Sequence, residues 1–265
     1  MYKLKIPFIK QKSKISFSYL NKFNLSMALL HFVQAIVMII IAKGYSLPVT
    51  TSYLTFNDST KHLEPATKNL FNVDLVWVVV IFLLMSAVAH LIVATIYRKT
   101  YENDLKKGIN KARWVEYAFS ASTMMVGIAF LSGIYDLSTL LLIFTAVAVM
   151  NFMGLAMELW NQLTKRTNWF SFIVGCVSGI LPWIVFAIYV WGASTYSSHG
   201  IPGFVYGIYA SIFIFFNCFA VNMYLQYKKT GPWKDYIYGE RIYMILSLVA
   251  KSALAWQVFA GTLRP

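Results

Sequence analysis

Two ionisable residues of this 265-residue chain stand in apolar surroundings: Lys251 in LSLVAKSALAW (246–256) and Glu116 in RWVEYAF (113–119). Charge inside hydrocarbon is expensive, so such a residue marks a functional site by default and asks for a partner of opposite sign. An amine kept from water holds its lone pair free more readily and can add to an aldehyde to form an imine. A protonated imine needs one carboxylate as counterion, a role open to Glu116. Two plainer readings stand beside this one. Lys251 and Glu116 could form a structural ion pair, or Glu116 could be an interfacial carboxylate paired with Arg113 at i,i+3.

More polar side chains belong to the same level. Ser120 lies one helical turn beyond Glu116, and Ser247 one turn before Lys251. His31, His90 and Ser86, the last one turn from His90, fall at similar depth in two other apolar stretches. Convergence of four helices would make a polar, hydrated pocket beside the lysine. Each of these groups, taken singly, also fits ordinary helix packing. Two histidines without a third ligand do not suggest a catalytic metal site, and no motif points to an enzyme. Cys176 and Cys218 have no metal spacing and read as packing residues.

The elements that must hold these groups are membrane helices. The chain is 58% hydrophobic and 12% charged, against about 25% charged in soluble domains. Seven apolar stretches are long enough to cross a bilayer: 24–42, 75–97, 114–135, 138–157, 169–191, 203–227 and 242–263. The predicted fold is an all-α, multi-pass cell-membrane protein, a seven-transmembrane-helix bundle over 24–265 preceded by a basic tail, 1–23. The tail is long and lacks a small-residue cleavage site after the first apolar stretch, so it does not read as a signal peptide.

The net charge of +13 points to a membrane rather than to nucleic acid. Eighteen basic residues fall in the tail and in the loops after spans two, four and six; four (Lys43, Lys61, Lys68, Arg264) fall on the other side. The positive-inside rule places the N-terminus in the cytoplasm and the C-terminus outside. Lys251 follows Arg241 by about 15 Å of helix, and its side chain leans back toward the cytoplasm. The first outer loop, 43–74, contains VTTSYLTF and predicts a short β-hairpin. It also carries the sequon Asn57-Asp58-Ser59.

RWVEY, followed by a lysine in the middle of span seven, is similar to the microbial rhodopsins. RWVEYAFSAS (113–122), GILPWI (179–184), IPGFVYGIY (201–209), YLQYKK (224–229) and LSLVAKSALAWQVFAGTL (246–263), with HFVQ (31–34), resemble the heliorhodopsins specifically. Those have the inverted membrane orientation that the charges indicate here. The resemblance implies that Lys251 carries all-trans retinal, covalently bound as a protonated Schiff base, with Glu116 as counterion. His31, His90, Ser86, Ser120 and Ser247 would shape the adjoining cavity. Met124, Trp183, Phe216, Asn217 and Trp256 would line or border the polyene; helix packing is the plainer role for each. It further implies a light sensor with a slow photocycle, a homodimer in the lipid bilayer, and a signal passed to a cytoplasmic partner.

The chain departs from the wider superfamily at informative places. Pumps carry an aspartate four residues before the lysine, where this chain has Ser247, and a carboxylate eleven residues after the counterion, where it has Gly127. Span six reads SIFIFFNCFA (211–220), without the usual Trp and Pro, and Ala118 and Ala121 interrupt the run of serines that often follows a heliorhodopsin counterion. The alternative function, a light-driven or light-gated proton or ion transporter, would need a path to the outer face, where titratable groups are scarce.

Overall fold

The computed structural model describes residues 13, 15–198 and 200–264. Seven helices are long and apolar enough to cross a membrane: α1 (Phe17–Ile41), α2 (Leu75–Ala94), α4 (Lys111–Leu131), α5 (Leu137–Trp160), α6 (Phe170–Tyr196), α7 (Gly203–Lys228) and α8 (Tyr236–Val258). The chain is a multi-pass membrane protein. Runs of Leu, Ile, Val and Phe leave no water to satisfy the backbone, so each segment closes its own hydrogen bonds as a helix. A shorter helix, α3 (Arg98–Lys106), sits in the connection between α2 and α4. A single turn of π-helix, Phe259–Leu263, completes α8.

Helix starts are set by side chains that accept the first free backbone N–H groups. Ser16 accepts from Tyr19, Asp74 from Val76, Asn110 from Arg113, Asp136 from Thr139 and Asp235 from Ile237. These caps explain where the helices depart from the apolar stretches. α1 starts at Phe17, inside the segment read as tail, and its first turns pack against α3 through Leu20, Phe23, Tyr101 and Leu105. α8 starts at Tyr236, six residues before the apolar stretch, because Asp235 caps it there. Lys3, Lys5, Lys10, Lys12 and Lys14 of the basic tail lie outside the described residues.

The loop between α1 and α2 is an antiparallel ribbon, longer than the short hairpin the sequence predicts. Strands β1 (Ser46–Asn57) and β2 (His62–Asp74) pair along their length, with a bulge at Val49/Thr50. Its base is anchored: Thr50 N–H donates to Tyr135 O at 2.8 Å, and Asp74 accepts from both Tyr45 and Val76. At the turn, Asn57 and Thr60 donate to Glu64 at 2.8 and 2.6 Å. These two bonds hold the partly exposed Glu64 carboxyl below its usual range.

The main core fills the hairpin half of the bundle, with Phe82, Leu83, Met125, Ile128 and Phe186 fully buried. α6 and α7 meet through aromatic rings, Trp183 against Phe213 and Phe216, and Phe186 against Tyr209. Rings of that size hold the two backbones apart and leave room between them.

Candidate functional site

α8 and α4 bring Lys251 and Glu116 together. Lys251 Nζ donates to Glu116 Oε1 at 2.8 Å and to Ser247 Oγ at 3.0 Å. The same Oε1 accepts from Ser86 and from Ser120, each at 2.6 Å. Lys251 is 3% exposed, and four hydrogen bonds among α2, α4 and α8 hold the ion pair. This packing decides between the two partners open to Glu116. Arg113, one turn earlier on α4, instead faces Glu158 of α5 and Glu240 of α8.

His31 and His90 lie on the α1–α2 side of the pair. Their rings stack at 5.8 Å between centroids, 9° from parallel. His90 Nδ1 is 2.8 Å from Asn24 Oδ1, whereas both ring nitrogens of the fully buried His31 lack a protein partner.

Two cavities flank the pair, and Lys251 lines one while Glu116 lines the other. The larger, about 150 Å³, runs among α4, α5, α6, α7 and α8. Met124, Trp183, Phe216 and Asn217 all line it, as does Ser247. So do Tyr117, Phe219, Tyr243 and Met150, which the sequence does not single out because aromatic and Met residues are common throughout the spans. Gly179 also lines it; a Cβ there would come within 2.5 Å of Met150 Sδ and 3.4 Å of Phe216. The missing side chain lets Met150 of α5 pack close against the α6 backbone. The smaller cavity, about 30 Å³, is lined by Asn24, His90, Glu116, Arg113, Asn110, Glu240 and Tyr101 among others.

Trp256 needs correcting. It lies outside the large cavity, 38% exposed, with its indole N–H donating to Gln34 Oε1 at 3.1 Å and its ring edge-on to Phe259. Five residues along a helix turn the side chain by about 140°, which takes Trp256 to the face opposite Lys251. His31, His90, Ser86 and Ser120 also stand outside the large cavity, around Glu116.

A second buried charge cluster is absent from the sequence reading. Glu158 and Glu240 are each 1% exposed, and Arg113, counted there as a loop cation, is 7% exposed. Arg113 Nη2 donates to Glu158 Oε1 at 2.6 Å, and Nη1 donates to Glu240. Trp114 Nε1 and Asn110 N–H donate to Glu158 at 2.7 and 2.8 Å, Tyr236 to Glu158 at 3.0 Å, and Asn110 Nδ2 to Glu240 at 2.6 Å. The sequence does carry a signal. Both glutamates sit within one turn of an apolar stretch, in AMELW and YGERIY, and helices commonly run past such stretches.

The sequence matches the heliorhodopsin family over residues 20–263. The chain belongs to the heliorhodopsin family. Its fold is that of a rhodopsin: the structure superimposes on a cyanorhodopsin from the cyanobacterium Tolypothrix sp. NIES-4075 with a TM-score of 0.56, over 92% of this chain and 94% of that one, at 11% identity. No curated protein matches the chain in sequence. The apolar cavity ending at a lysine whose amine faces one carboxylate suits the retinal-binding heliorhodopsin class.

Proposed function

We propose that this heliorhodopsin is a light-sensing photoreceptor that holds all-trans retinal covalently at Lys251 Nζ, as an imine. The observation that carries the reading is the position of Nζ, between an apolar cavity of about 150 Å³ and the Glu116 carboxylate 2.8 Å away. Retinal, when bound, supplies absorption of visible light and a change of shape on absorbing it.

The protein's residues do the rest. Met124, Trp183, Phe216 and their neighbours exclude water and restrict the space for that change. Glu116 balances the positive charge at Nζ, and Ser86 and Ser120 fix the carboxylate so that charge separation is set by the fold. Ser247 accepts a hydrogen bond from Nζ and orients it. A proton leaving Nζ stays inside the protein. His31 and His90 are the nearby side chains whose ordinary titration lies closest to neutrality, and both nitrogens of His31 are free of protein partners. Retention of the proton within such a cavity, with return over the same groups, accounts for a slow photocycle.

Ser247 and Gly127 stand where pumps place carboxylates, which argues against outward proton transport and against the transporter alternative. The reading includes no enzymatic activity. With the N-terminus cytoplasmic and the C-terminus outside, the polar groups face the cytoplasm, where the basic loops could meet anionic lipid or a soluble signalling partner. It also includes a homodimer. Leu54, Phe56 and Leu63 lie 63%, 55% and 62% exposed on one face of the ribbon, a surface suited to burial against a second copy.

The test is a visible spectrum of purified protein after addition of all-trans retinal, beside Lys251→Ala. A visible band in the parent and none in the variant is the expected result. No band in either removes the photoreceptor and leaves Lys251–Glu116 as a structural ion pair.

A further inference from the structure

Three observations converge on the small cavity at the α3 end of the bundle. First, its volume of about 30 Å³ exceeds the 10–15 Å³ or so that one water needs. Secondly, between apolar walls of Ala89, Val93, Ala112 and Met244 it carries polar side chains of both charge clusters: Glu116 and His90 from one, Asn110, Arg113 and Glu240 from the other, with Asn24 and Tyr101 beside them. Thirdly, Arg113 Nε is buried without a partner in the protein, although Arg113 lines this cavity. A buried N–H left unmatched is costly, and a water in the cavity would satisfy it.

The two clusters differ in charge. Lys251 and Glu116 balance one to one. Arg113 is alone against Glu158 and Glu240, so with both carboxylates ionised the second cluster holds one surplus buried negative charge. Four donors from neutral groups, Asn110 N–H and Nδ2, Trp114 Nε1 and Tyr236 O–H, spread that charge but do not cancel it. A surplus buried charge is expensive, and one added proton removes it. Glu158 does not line the cavity; Glu240 does.

We infer that Glu240 is the terminal acceptor for the proton that light releases from Lys251, reached through water in the small cavity. The inference rests on the retinal reading above. One N–H bond at Nζ breaks and one O–H bond forms at Glu240. Each group between them gives up one proton and receives one, so the net change is the loss of a positive charge at Nζ and of a negative charge at Glu240. The surplus negative charge moves to Glu116, where Ser86 and Ser120 already donate to it. His90 lies beside this route, with its Nδ1 bound to Asn24, and serves as a relay. Glu240 is the fifth residue of α8, the helix that carries Lys251. Its neutralisation loosens Arg113 and Asn110, the latter capping α4, and gives the photocycle a mechanical outlet at the α3 end.

Light-minus-dark infrared difference spectroscopy on the retinal-loaded full chain tests this. A protonated-carboxyl C=O band should rise with loss of the visible band, vanish in Glu240→Gln, and persist at a shifted frequency in Glu240→Asp. If Glu240→Gln forms no pigment, the frequency shift in Glu240→Asp decides alone. A band untouched by the substitutions, or no carboxyl band in a parent that shows a normal visible spectrum and deprotonates, overturns the assignment of Glu240. A parent with no visible band at all fails earlier, at the retinal reading.

Discussion

Arg113 and Glu116 are one turn apart on α4, yet each has turned away from the other. Glu116 sits in a cluster of one cation and one anion, with three hydroxyls completing the shell. Arg113 sits in a cluster of one cation and two anions, completed by an indole, a phenol and an asparagine. The first borders a large apolar cavity; in the second, Trp114 and Tyr243 lie against the guanidinium, with ring centroids 4.4 and 3.9 Å from its carbon. An i,i+3 pair on one helix gains only about 0.2–0.5 kcal/mol. Interhelical partners with fixed, buried geometry outcompete it. The first cluster joins α4 to α8 beside the large cavity; the second also takes in α5 through Glu158 and so ties three helix ends together.

That contrast can be broken from either side. Lys251→Ala should abolish the visible band completely yet leave a folded bundle, because Glu116 retains two serine donors; circular dichroism and a melting curve beside the spectrum would show both. Arg113→Gln should do the reverse. It strands two buried carboxylates, at a cost of about 3–5 kcal/mol, readable as a large fall in melting temperature, while pigment that does fold keeps nearly the parental colour. A melting temperature little changed by Arg113→Gln would mean that the cluster is not a structural lock. Glu116→Gln should move the visible band to longer wavelength, since the positive charge at Nζ loses the carboxylate that localises it; an unmoved band would put the counterion elsewhere.

Smaller effects sharpen the comparison. A Cβ on Gly154 would lie 2.3 Å from the Trp114 ring, and Trp114 belongs both to the cavity wall and to the Arg113 cluster. Gly154→Ala should therefore cost about 1–3 kcal/mol by overpacking, measured by thermal unfolding, with little change in colour. The smallest effect lies at the hairpin turn. Glu64 has a folded-state value below its ordinary 4.5, so its contribution is present above that value and fades as pH falls through the lowered one. The Ser59 and Thr60 amides donate to Asn57, which Glu64 holds, so their protection from exchange, relative to an unstructured chain at the same pH, should fall on acidification below 4.5 in the parent, and Glu64→Gln should flatten that dependence.

Much of the site was legible because single residues carried it. A lysine in LVAKSAL and a glutamate in RWVEY are improbable in hydrocarbon without a purpose, and serines one turn away must share their helix faces. Span count also follows from transfer energies alone. The second cluster was hidden by a boundary effect. Hydropathy ends a span where apolar residues end, but Asp235 and Asn110 cap helices beyond those points, so Glu240 and Arg113 are helical and buried. Trp256, which the resemblance places at the polyene, lies off the cavity because five residues of helix rotate it away from Lys251.

The sequence by itself determined a seven-helix membrane protein, a lysine and a carboxylate set to meet, and a resemblance that named the family. Those properties depend on local composition and on periodicity. Only the tertiary structure decided which carboxylate each cation takes, which aromatics face the cavity, and that a small cavity borders both clusters. Such choices turn on how helices distant in the chain rotate against one another, and no single helix encodes that rotation.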